Sequence, residues 1–257
     1  MTTELQTERH GSTLVMTLSG PATRNALSPQ VYAAGIETLN MAEANPEVRA
    51  IVLTGAGGHF CAGGDLQRLA HNRRHDLQAQ GANLDAFHQW IEALRSFPKP
   101  VLAAVEGVAA GGGVSLALAC DLIVAAESAR FVMAYSKVAL SPDGGASWHL
   151  SHALGRAKAL DMLWMGEQQT AQQWLALGLV QRLAPAGAAL AQALDWAAQL
   201  AHIAPGVLAS VKELVNESDR PLRQQLDAEK QHFLVNLTQA EAGQAIEGFL
   251  QGRPSQS

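Results

Sequence analysis

Cysteine is scarce: Cys61 and Cys120 are the only two thiols among 257 residues. A pair of cysteines makes no disulfide framework, so the fold must rest on its core, and the usage points to a reducing, cytoplasmic setting. Long hydrophobic runs are missing as well. The longest apolar stretch, Pro100 to Ala126, is broken by glycines and Glu106, which excludes a membrane span. The opening MTTELQTERHG has no apolar h-region and reads as carrying no secretory signal. Basic charge is in short supply: 18 Lys and Arg against 23 Asp and Glu leave a net −5. The densest basic spot, Arg73-Arg74 between His71 and His75, is too small for a nucleic-acid footprint, and the same residues read as a solvated loop instead of a metal site. No lysine follows the glycine runs as a P-loop requires, and GGGVSL is not a dinucleotide fingerprint. Ser115 has no glycine two residues later, so it is no nucleophile elbow.

What is present is an apolar chain, 48% hydrophobic and 16% charged, with material for a large core. Glu4–Arg9 and Ser12–Ser19 read as strands turning at His10-Gly11. Ser28-Pro29 supplies an N-cap with proline at the first helical position, predicting a helix to about Ala44. Arg49–Leu53 is a buried strand, followed by a glycine-rich loop from Gly55 to Leu66. Residues 67–81 read as a mobile polar segment. Asn83–Phe97 has helical spacing through Leu84, Phe87, Ile91 and Leu94, with Asn83 as its N-cap. Val101–Val105 is a strand that turns at Glu106-Gly107; Gly111-Gly112-Gly113 opens a helix ending near Cys120, and another strand starts at Asp121. Arg130–Met133 is a short strand, and Leu140–Gly145 is a turn rich in breakers. Helical pattern resumes at Ser147 with breaks at Gly155, Gly166 and Gly178, and Leu179–Leu183 is a last strand. Beyond Pro185 the pattern is helical alone (187–203, 206–217, 221–250), and the final RPSQS is frayed. This divides the chain into an α/β core over 1–190 and a helical region over 191–257. Periodicity leaves a doubly wound and a spiral arrangement of the strand units both open.

Two stretches have one chemistry. Ala62-Gly63-Gly64-Asp65 and Ala110-Gly111-Gly112-Gly113 each follow a strand, and glycine lets another group come close to the backbone. The second opens a helix, whose first-turn N–H groups have no intrahelical partner and favour negative charge. Two such loops suit an oxyanion that forms during acyl chemistry, where one donor is worth roughly 2.7–4 kcal/mol.

HFCAGGDL followed by KPVLAAVEGVAAGGGVSLALACDLIVAAESARF resembles the crotonase (enoyl-CoA hydratase/isomerase) superfamily, from about Leu14 to Leu183 and more loosely through the tail. The resemblance implies a spiral of ββα units with an α-helical C-terminal trimerisation region, assembly as a homotrimer or hexamer, and an acyl-CoA thioester substrate. Coenzyme A enters as part of that substrate, with no separate cofactor and no metal. It also implies an oxyanion hole made by the amides of Gly64 and Gly112, with Ala62, Gly63 and Asp65 in the adjoining loop. Arg24-Asn25-Ala26-Leu27 falls where the family meets the CoA nucleotide; Arg24 is the candidate phosphate contact beside Ala26, and Lys212 is a weaker one.

Side chains choose the reaction. A hydratase of this family resembles a site with two glutamates. Here the two corresponding places hold Ser115 and Tyr135, and neither is a carboxylate. Asp143, in Ser141-Pro142-Asp143-Gly144-Gly145, falls where several family members carry their acid, including Δ3,Δ2-enoyl-CoA isomerases and ring-opening phenylacetate-pathway isomerases. Its plain alternative is a helix cap. The leading expectation is double-bond migration in an enoyl-CoA, with Asp143 as base and acid and Tyr135 orienting it. Hydration with an atypical acid and a non-catalytic thioester binder remain alternatives. A further one rests on His88 and Asp143, which match positions used by 4-chlorobenzoyl-CoA dehalogenases, where the aspartate attacks the aryl carbon and the histidine activates water. Tyr135 in place of tryptophan, and Asp65, depart from that group.

Overall fold

The computed structural model describes residues 2–251; the expectation for RPSQS lies outside them. The chain opens with a hairpin, β1 (Glu4–His10) against β2 (Thr13–Ser19), turning through Gly11 at φ +60°. The Ser28 hydroxyl accepts from the Val31 amide and Pro29 begins α1 (Pro29–Ala44), as the sequence predicts. β3 (Ala50–Gly55) then joins β2 in parallel. Its first five residues are buried, the run expected of a strand covered on both faces.

Residues 67–81 depart from expectation. They form α2 (Leu66–His75) and the start of α3 (Leu77–Ser96). Asp65 caps α2 by accepting from the Gln67 and Arg68 amides, and Asp76 caps α3 by accepting from Ala79. Asn83 therefore sits inside a helix and is not its cap. Only Asn72 of α2 is buried, so this surface helix has no apolar stripe for periodicity to detect.

The central run alternates between two sheets. β4 (Val101–Val105) belongs to the large sheet, β5 (Val108–Ala110) to a small one, and α4 (Gly112–Ala119) follows. The step repeats with β6 (Leu122–Ala126) in the large sheet and β7 (Arg130–Val132) in the small one. A 3-10 turn at Ala134–Val138 leads to α5 (Ala146–Leu154), α6 (Arg156–Met165), β8 (Gln168–Thr170), α7 (Ala171–Ala176) and β9 (Arg182–Ala184). The large sheet runs β1-β2-β3-β4-β6-β9, parallel after the first hairpin; the small one runs β5-β7-β8. This is a spiral of ββα steps. The three-residue strands β5 and β8 are too short for alternation to reveal them.

α8 (Ala189–Leu200) lies on the large sheet with Ala189, Ala193 and Ala197 buried, and the Glu106 carboxylate accepts from the Gly187 and Ala189 amides at its start. α9 (Pro205–Asn216), α10 (Leu222–Leu237) and α11 (Ala240–Leu250) complete the described chain, and none of the three buries a residue. α9 is clasped to the core by Lys212, whose ammonium donates to the Asp121 carboxylate (2.9 Å) and to the Leu94 carbonyl (3.2 Å). No helix of the described residues is long and apolar enough to cross a membrane.

Candidate active site

The two glycine loops meet. Cys61 bridges Ala109 in parallel, with the Ala110 amide donating to the Cys61 carbonyl at 2.9 Å. The contact is too close for side chains. A Cβ on Gly63 (φ +84°) would lie 2.5 Å from the Ala110 carbonyl oxygen and 3.1 Å from the Gly112 nitrogen; one on Gly113 would lie 2.4 Å from the Cys61 carbonyl oxygen. Gly64 follows directly on Gly63, so the loop that carries it packs against the mouth of α4. Among the described residues neither the Gly64 nor the Gly112 amide has a backbone acceptor. An amide left without an intrahelical partner at a helix N-terminus is the kind of seat that suits a developing oxyanion.

Residues 24–27 brace this seat. The Ala62 amide donates to the Arg24 carbonyl (2.9 Å), and the Leu27 amide to the Gly63 carbonyl (2.8 Å). Asn25 is fully buried at φ +61°, where its amide group donates to the Ala56 and His59 carbonyls and its oxygen accepts from Gly20. Burial pushes the Cys61 thiol up to about 12, so it stays protonated and donates to the Asn25 carbonyl. The sequence reading missed Asn25 as the pin of this region. A buried asparagine among loop residues gives no periodic signal.

The opposite wall is made of side chains. Asp143 does not cap α5, which has no side-chain cap. Instead the Tyr135 hydroxyl donates to Asp143 Oδ1 at 2.6 Å. Ser115 Oγ lies 3.0 Å from the Tyr135 hydroxyl and donates to the Asp143 carbonyl at 2.9 Å. Asp143 Oδ1 is 3.6 Å from the point where a Cβ on Gly112 would sit, which sets the carboxyl beside the donor seat. Desolvation pushes the Asp143 carboxyl above its ordinary range, opposed by the Tyr135 hydrogen bond and the facing charge of His88. Burial, and then the charge of Asp143, hold the Tyr135 phenol in its protonated form.

Other predicted residues are placed differently. His88 is exposed on α3, at the rim on the Asp143 side, and makes no hydrogen bond among the described residues. Arg24 is exposed in a left-handed turn at φ +51°, and Ala26 is half-buried beside it. The Asp65 carboxylate is engaged by the start of α2. Lys212 is engaged by Asp121 with only 11% of its side chain exposed, so it is a clasp and not a phosphate contact within this chain. An aromatic wall was also missed. Tyr32 of α1 lies 5.2 Å from the Phe87 ring, and Phe87 packs against Gly112 and Gly144. Its helical spacing reads only as core. Among the described residues no cluster of His, Cys, Asp or Glu could hold a metal ion.

A spiral of ββα steps whose two glycine loops meet beside a half-buried acid is the architecture of a crotonase-type acyl-CoA enzyme. The chain matches the family described as enoyl-CoA hydratase/isomerase over residues 8–256. It is 33% identical to 1,2-epoxyphenylacetyl-CoA isomerase of Escherichia coli, covering 95% of this chain and 94% of that protein. It is 34% identical to 2,3-dehydroadipyl-CoA hydratase of the same organism, covering 97% and 96%. The crystal structure of an enoyl-CoA hydratase from Polaromonas sp. JS666 superposes with a TM-score of 0.96 at 53% identity, covering 98% of this chain and 99% of that one. The chain belongs to the enoyl-CoA hydratase/isomerase family.

Proposed function

We propose that the chain moves a double bond in an enoyl-CoA by proton transfer through an enolate. The observation that carries this reading is the single carboxyl, Asp143, set beside Gly112 where Ser115 and Tyr135 occupy the two positions expected of glutamates. Asp143 removes a proton from the carbon next to the thioester. The amides of Gly64 and Gly112 hold the enolate oxygen, and Asp143 returns the proton two carbons along. Tyr135 orients the carboxyl, and a carboxyl raised by burial is better matched to neutral pH than a free one. Arg24, with Ala26 beside it, is the candidate contact for the CoA nucleotide. Homotrimer or hexamer assembly is supported by the apolar side chains left open on the last helices, Phe233 and Phe249 among them. Two buried, unbridged cysteines support a reducing, cytoplasmic setting.

The test is a panel of enoyl-CoA positional isomers in deuterated water, read for double-bond migration and α-proton exchange. Migration lost in Asp143→Asn with thioester binding kept supports the reading. Hydration without migration replaces it with a hydratase that has an atypical acid, and tight binding without exchange replaces it with a non-catalytic binder. One observation favours a second reading, aryl-CoA hydrolysis with Asp143 as nucleophile: the charge of His88 bears on Asp143, and its ring lies 6.3 Å from that of Phe87. Halide release from 4-chlorobenzoyl-CoA would mark it.

A further inference from the structure

Counting hydrogens around Asp143 shows more oxygen contacts than an ionised site can fill. Three short contacts form a closed ring: Asp143 Oδ1 to the Tyr135 hydroxyl (2.6 Å), the Tyr135 hydroxyl to Ser115 Oγ (3.0 Å), and Ser115 Oγ to the Asp143 carbonyl (2.9 Å). With Asp143 ionised only two hydroxyl hydrogens are available. Tyr135 donates to the carboxylate, and Ser115 must choose between Tyr135 and the Asp143 carbonyl. With Asp143 protonated there are three hydrogens, and the ring closes in the opposite sense. The acid then donates to Tyr135, Tyr135 to Ser115, and Ser115 to the Asp143 carbonyl. Ser115 is fully buried and Tyr135 nearly so. The Asp143 carbonyl also accepts from the Ala146 amide (3.2 Å), with the Tyr135 hydroxyl 3.4 Å away, so in the ionised state Ser115 can turn its hydrogen to Tyr135 without leaving that carbonyl unpaired.

We propose that Ser115 is a positioning residue for proton transfer: the Ser115–Tyr135 hydroxyl pair reverses its donor sense each time Asp143 takes up or releases a proton, and Ser115 supplies the acceptor that the reversed Tyr135 needs. This rests on the reading of Asp143 as a group that takes and returns one proton. No atom besides that proton changes its bonding, and the pair holds the carboxyl in one place in both of its states. The other titratable groups whose charge bears on Asp143 are His88 of α3 and Tyr32 of α1, while His149 of α5 lies past Gly145. His149 is lowered to about 4 by burial and by Arg95, so it is neutral at pH 7. Tyr32 is held protonated by burial.

The test reads the ionisation of Asp143 directly in the full chain without substrate. Infrared difference spectra across pH follow its protonated carboxyl band, assigned by the loss of that band in Asp143→Asn. Ser115→Ala removes the acceptor that the protonated state needs and is expected to lower the midpoint by about half a pH unit. Tyr135→Phe removes a charge-assisted donor to the carboxylate and is expected to raise it. Shifts of opposite sign support the proposal. A Ser115→Ala titration that overlays the wild type, or two shifts of the same sign, overturns it. Should Ser115→Ala not fold, an unchanged or lowered midpoint in Tyr135→Phe overturns it equally. The titration needs no turnover, so a wild type that fails to move double bonds removes the isomerase reading and leaves this readout intact.

Discussion

The two walls of the site are built on opposite principles. The proposed donor wall, 61–64 against 109–113, is backbone, and its close approach depends on what is absent: a Cβ at Gly63 or Gly113 would collide with a carbonyl oxygen at 2.5 or 2.4 Å. The acid wall, Ser115, Tyr135 and Asp143, is side chain, and its chemistry depends on which atoms are present. One wall can be broken only by adding atoms, the other by changing one.

Asp143→Asn strikes the acid wall hardest. It should lower turnover by about 10²–10⁴-fold with thioester affinity kept, as stopped assays and ligand titration will read, since a positioned acid–base group is worth that much. If the amide variant turns over at the wild-type rate, Asp143 is not the proton carrier. Gly113→Ala strikes the donor wall. Pushing α4 away from Cys61 should cost about 10²–10³-fold in kcat, the usual loss for one oxyanion donor, and should lower the melting temperature too. A contrast that separates chemistry from scaffold comes from Lys212→Met. It leaves the part-exposed Asp121 carboxylate without its cation and the Leu94 carbonyl without a donor, and should destabilise the fold by about 1 kcal/mol in denaturant titrations. The smallest effect sharpens the comparison most. Because burial raises the Asp143 carboxyl above its ordinary 3.8, the native state holds that proton to higher pH than the unfolded chain does, and stability falls as pH rises through that window. Asp143→Asn should therefore melt slightly higher than wild type at pH 7, the gap closing below about pH 4. A variant that melts lower at pH 7 would show that the carboxylate stabilises its site.

The same contrast explains what was legible in the sequence. Gly63-Gly64 and Gly111-Gly112-Gly113 announce the donor wall because close backbone approach requires glycine, and the strands flanking them are continuous apolar runs. Ser28-Pro29 likewise marks the start of α1 by local chemistry alone. Asp143 was legible only through the family resemblance, since an aspartate before two glycines reads equally well as a cap. The Ser115 contact was not legible at all: it joins residues 20 and 28 positions apart across a buried gap. α2 was missed because its polar surface face imitates a loop, and Asn25 because a pin that ties loops together has no period.

Asp143 arrives on a stretch, 139–145, that is separate from both glycine loops and bounded by a 3-10 turn and a helix. On the proposed reading the thioester seat is finished before the reactive group is installed, much as a vice is independent of the tool brought to the clamped piece. Exchanging that short stretch would let one clamp serve unrelated reactions, and descent with altered chemistry would proceed there first.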